Sequence, residues 1–202
     1  MVRTLQTAEA IASSVASTNV PFTIARDCFE IGGCYEGHAN SLPVLGVGGL
    51  TGADIKARFP FVQDEEETKL SEGWFHHATK ESLPQAVTRV RSVVDRFATT
   101  LRTSLPPPPE GKVNTVAIVC HGDFIDFFLR VALARNLDLV GKPGDDILAE
   151  GGRTTIYKSF NCQVAAIEFL SEGKCRLLYH NYFGHLIEGG EDVIDLENLG
   201  LV

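Results

Sequence analysis

Apolar residues recur along this chain with two different periods. Between Met1 and Ala16, Leu5, Ala8, Ile11, Ala12 and Val15 follow the i, i+3, i+4 spacing of one helical face, which predicts an amphipathic helix. The same spacing returns in Thr51–Phe59, a short helix that Pro60 stops. It returns again from Leu83 to Leu105, where Ala86, Val90, Val93, Val94, Phe97 and Leu101 mark an inner face and Pro106 to Pro109 end the helix. Elsewhere the apolar residues come in short runs rich in β-branched side chains, the pattern of strands. Val20–Ile24 is one such run, and Val113–Cys120 is another, reading as a strand buried on both faces. Ser159–Leu170 and Cys175–Tyr182 flank the turn residues Ser171 to Lys174, which predicts a β-hairpin.

The Val113–Cys120 run leads directly into a helix expected from about Phe124 to Asn136, with Asp123 placed to cap it. Phe124, Phe127, Phe128, Leu129 and Leu133 leave that helix little polar face, so it should be largely buried. His121 and Gly122 stand between strand and helix. Free backbone N–H groups and the positive end of the helix dipole favour an anion at such a junction. Open α/β sheets also bind ligands outside their strand ends. From this stretch alone His121 is equally a phosphate ligand or a polar residue at a turn.

Two other polar residues stand at informative positions. Arg3 opens the first helix, where a cation opposes the helix dipole and has no local stabilising role. It is either a frayed terminal side chain or an anion ligand. Glu30 lies between Phe29 and Ile31 in a loop punctuated by Gly32, Gly33 and Gly37. A carboxylate among apolar neighbours suits a general acid, and it is also a common loop residue.

Composition narrows the classes. A chain of 202 residues with 44% apolar and 22% charged residues is that of an ordinary globular domain. A net charge of −8 without a basic stripe argues against a nucleic-acid binder. No apolar run is long enough to span a membrane and no signal peptide is visible, so a cytoplasmic protein is expected. The five cysteines are scattered without metal-ligand spacing and read as free thiols. The carboxylate run Asp64–Glu67 reads as a solvated loop, and the neighbours His76 and His77 cannot face one metal from a regular element. Neither metal nor cofactor is expected.

In this order the pieces resemble the histidine phosphatase superfamily, also called phosphoglycerate mutase-like. Arg3-Thr-Leu-Gln-Thr-Ala-Glu9 is similar to its R-A-x-Q-T-A-E helix start. Glu30-Ile-Gly-Gly-Cys-Tyr-Glu-Gly37 resembles its E-I-x-x-G-x-x-E-G loop, one residue shorter. His121-Gly-Asp-Phe-Ile-Asp126 resembles its second-histidine motif. Phe160–Phe169 resembles the strand that carries N-T-S-I-T, and Tyr179–Leu186 its closing strand and H-L. The resemblance covers nearly the whole chain and implies one domain over 1–202. The implied fold is α/β, a three-layer α/β/α arrangement around a mostly parallel sheet. The implied activity is phosphomonoester hydrolysis through a phosphohistidine, on a small-molecule phosphate ester. In that scheme His121, Arg3 and Gly122 hold the phosphoryl oxygens and Glu30 protonates the leaving group.

One part of the family pattern has no counterpart. Its nucleophilic histidine sits in an R-H-G motif on a first, central strand. None of the six histidines here follows an arginine and precedes a glycine. The expectation is therefore an N-terminally incomplete domain with little or no turnover, or alternatively a catalytically dead anion-binding or regulatory module. A missing central strand should leave unpaired edges, which keeps a homo-oligomer open.

Overall fold

A computed structural model describes residues 2–15, 20–36, 45–46, 48–63, 71, 73–75, 79–101, 103, 105–135, 155–170 and 173–184. His38, the carboxylates at 64–67, His76, His77, residues 140–153 and the chain from His185 onward lie outside these residues. The chain divides into two compact units. One comprises Met1–Ala86 with Ala117–His121, and the other Val87–Val116 with Gly122–Val202. Secondary structure is mixed, of helices and two small antiparallel sheets, so the molecule is α/β in the broad sense.

In the first unit, α1 (Val2–Ser14) follows the predicted stripe. Leu5 is buried, Ala8, Ala12 and Val15 are half-buried, and Ile11 is left exposed. Leu5 joins Phe29, Ile55, Phe59, Trp74 and Phe75 in the core of this unit. The rings of Phe29, Trp74 and Phe75 meet at centroid distances of 5.2 to 5.6 Å, tilted or edge-on, the favoured aromatic geometry. Helix α2 (Gly52–Arg58) starts where a capping box forms, with the Thr51 hydroxyl accepting from the Asp54 N–H and the Asp54 carboxylate accepting from the Thr51 N–H. Val20–Ile24 joins no sheet among the described residues, although from Pro21 on its exposure alternates as a strand's would. The glycine-rich stretch read as loop contains a short antiparallel pair, β1 (Tyr35–Glu36) with β2 (Leu45–Gly46).

The second unit is built on two helices. Helix α3 (Leu83–Arg96), which begins at the end of the first unit, turns Val87, Val90, Val93 and Val94 inward, all nearly inaccessible. Over Phe97–Leu101 the expected continuation toward Leu105 widens into a π-helical turn, and Thr103 is α-helical again. Helix α4 runs Gly122–Ala134. It starts two residues earlier than expected, so Asp123 lies in the first turn rather than at the cap. Phe124, Phe127, Phe128, Leu129 and Ala132 are buried, as an almost wholly apolar helix requires. The hairpin forms with β3 (Val164–Phe169) antiparallel to β4 (Cys175–Tyr182), Phe169 opposite Cys175, and Phe97 stacks on Phe169 and meets Phe128 edge-on.

Val113–Cys120 departs most from expectation. Its backbone belongs to no sheet among the described residues, and Val113 and Val116 are 79% and 47% exposed. A strand needs a neighbour to take up its backbone hydrogen bonds, and among the described residues β1 pairs with β2 and β3 with β4. No described helix is long and apolar enough to cross a membrane.

Candidate functional site

The first unit brings three of the four expected site residues into one neighbourhood. Glu30 owes its place to its neighbour. Phe29 is fixed in the aromatic core, and the chain then turns back on itself, with the Gly33 N–H donating to the Glu30 carbonyl at 3.0 Å. Gly32 and Gly33 take φ of +97° and +77°, open to glycine at no steric cost. At Gly33 the requirement is doubled, since a Cβ there would lie 2.0 Å from the Phe75 ring. One Glu30 oxygen accepts from the Ile31 N–H at 2.9 Å. The other lies 4.0 Å from Nδ1 of His121, with the histidine side chain 11% exposed and the glutamate 37%.

At 4.0 Å this is a close approach rather than a hydrogen bond. It is not an ion pair at neutral pH either. Burial lowers the His121 pKa from 6.5 to about 4, and neighbouring positive charge, Arg3's included, pushes in the same direction. His121 is thus a neutral imidazole, with one N–H to donate and one lone pair to offer. Arg3 stands exposed on the first turn of α1. Its charge is among the causes that lower the His121 pKa.

Cys120, next in line, is no nucleophile in this setting. Burial, reinforced by Cys28 nearby, pushes its thiol up to about 12, so the thiolate is scarce at neutral pH. Gly122, the fourth expected residue, is the first residue of α4 and belongs to the second unit. Among the described residues no three His, Cys, Asp or Glu side chains gather as a metal ion would require.

Sequence reasoning missed Glu81. It is 6% exposed and grips Gly32 twice, its carboxylate accepting from the Gly32 N–H at 3.2 Å and its own N–H donating to the Gly32 carbonyl at 2.9 Å. Its signal in the sequence is faint. A glutamate just before a helix reads as part of the helix's acidic entry, and only the fold reveals that it faces inward.

A scan against protein-family models, a search of curated proteins and a search of solved structures each return no match for this chain.

Proposed function

We propose that the Glu30–His121 site binds the phosphoryl group of a small phosphate ester and belongs to phosphomonoester hydrolysis of the histidine phosphatase type. The observation that carries this reading is the meeting of Glu30 with His121, with the Arg3 charge acting on the same imidazole. Those residues come from three separate motifs and are the three side chains that the family resemblance assigns to one site. Each has a role in phosphoryl chemistry. An arginine offsets charge on the phosphoryl oxygens, a neutral imidazole donates one N–H to them, and a carboxylic acid protonates the leaving oxygen. The family's three-layer architecture around a mostly parallel sheet, its single-domain extent, its cytoplasmic setting and its independence of metal and cofactor are part of the same proposal.

A second reading is favoured by one sequence observation. No histidine in the 202 residues stands in an R-H-G context, so the nucleophile of the family scheme has no counterpart. The site would then bind phosphate without turning it over. Both readings share the anion site, and one experiment addresses them. Inorganic phosphate binding and aryl phosphate hydrolysis are measured for the chain and for His121→Ala. The expected result is saturable phosphate binding, weakened roughly tenfold or more in the variant, as loss of a hydrogen bond to a charged group implies. Hydrolysis is expected to be very low. Robust turnover abolished by His121→Ala would favour the enzyme over the inert binder. Equal phosphate affinity in both chains would sink the proposal.

A further inference from the structure

The turn that carries Glu30 is gripped two residues beyond it. Gly32 is held at both its N–H and its carbonyl by one residue, Glu81, across a separation of 49 positions. The Glu81 side chain is buried, which is unusual for a glutamate that has no part in the Glu30–His121 contact. On its other side the same turn is closed by Phe75, whose ring fills the space where a Cβ on Gly33 would go. Between these two supports the chain has few ways to turn, and Glu30 projects from the start of that turn. The Gly33 N–H to Glu30 carbonyl bond joins the gripped segment directly to Glu30.

We infer that Glu81 is a positioning residue: by gripping Gly32 it holds the turn that sets the Glu30 carboxylate against His121. The inference rests on the Glu30–His121 site proposed above, but not on what that site binds. Two carboxylates then divide the work. One is partly exposed and lies beside His121, and the other is buried and accepts from a backbone N–H. Such division is physically reasonable. A loop glutamate has several rotatable bonds and a mobile backbone, and the approach to an imidazole is lost with a shift of about 1 Å. The alternative is that Glu81 only stabilises the fold.

The variants separate these. Glu81→Gln removes the charge but keeps an amide oxygen at the same reach, able to accept from Gly32. Glu81→Ala removes the acceptor, and Glu81→Asp shortens it beyond reach. The readout is the pair of side-chain nitrogen and ring-proton NMR signals of His121 at neutral pH, which report its tautomer and hydrogen bonding, with Glu30→Gln as the reference for loss of the carboxylate. Thermal unfolding is followed in parallel. Glu30→Gln is expected to move the His121 signals. Glu81→Ala and Glu81→Asp should move them in the same sense, while Glu81→Gln restores the wild-type spectrum. If Glu81→Ala lowers the unfolding temperature but leaves the His121 signals in place, Glu81 is structural and the inference is wrong. Should Glu81→Ala not fold, Glu81→Asp and Glu81→Gln still decide it, since positioning requires the shorter side chain to fail and the amide to succeed. If Glu30→Gln itself leaves His121 unmoved, there is no contact to position and the inference falls. Addition of inorganic phosphate to the wild type tests the parent proposal separately. Signals that respond to the Glu30 and Glu81 variants but not to phosphate would overturn the binding function and leave the positioning role standing.

Discussion

His121 shows how one residue can carry both a functional and a stability consequence. Its pKa falls from 6.5 to about 4 in the folded chain, so between those values the unfolded chain binds a proton that the folded one refuses. Stability is therefore untouched by this residue above pH 6.5, declines as the pH falls below it, and bears the full loss once the pH is under about 4. His121→Gln removes the titration. Chemical denaturation at a series of pH values should show a shallower loss of stability between pH 6.5 and 4 in the variant than in the parent. Equal slopes would mean that the imidazole titrates normally and is not held neutral by its surroundings. At this scale the sequence was informative about identity but not about environment. It singled out Arg3, Glu30 and His121, yet only the fold decides that the imidazole is largely shielded beside Glu30 and that a second glutamate, Glu81, is turned inward.

At the scale of elements, the helices were legible because their information is local. The 3.6-residue spacing of Leu5, Val90, Val94 or Phe128 reports which side must be buried whatever the partner is. Helix α4 adds a feature that apolar periodicity hides. Asp126 and Arg130 lie one turn apart on it, both nearly inaccessible, paired at 2.8 Å. The Asp126 carboxylate also accepts the backbone N–H groups of Ile156 and Tyr157, at 3.0 and 2.6 Å. The aspartate thus ties the segment preceding β3 to the middle of α4, and its burial is tolerable because its lone pairs are occupied. Asp126→Ala would remove the acceptor that a buried guanidinium and two amides share. A loss of about 3–5 kcal/mol is expected, the usual cost of breaking one side of a buried pair. Urea unfolding measures it. A loss below about 1 kcal/mol, the range of exposed pairs, would show that water reaches the site. Asp126→Asn, which keeps one acceptor oxygen, should fall between.

At the scale of the whole molecule, local pattern reaches its limit in Val113–Cys120. Its β-branched, uncharged sequence signals a preference for extended backbone, yet among the described residues it joins no ladder. Whether that backbone becomes a strand depends on a second segment elsewhere in the chain, and no periodicity in the run itself carries that information. The hairpin β3–β4 succeeded where this run did not because its two halves are adjacent in sequence and joined by a turn with Gly173 at φ +74°. The difference is open to measurement by native-state amide exchange. Thr115 to Ile118 have no ladder partners among the described residues, and Val113 to Ala117 are exposed. Their amides should exchange at close to the unfolded-chain rate. Amides of Val90, Val93 and Val94, buried in α3, should exchange only through larger openings and be slower by orders of magnitude. Protection at Thr115–Ile118 comparable to that in α3 would mean that these residues are paired in solution. The run would then be a strand after all, and the mostly parallel sheet implied by the family resemblance would gain its first direct support.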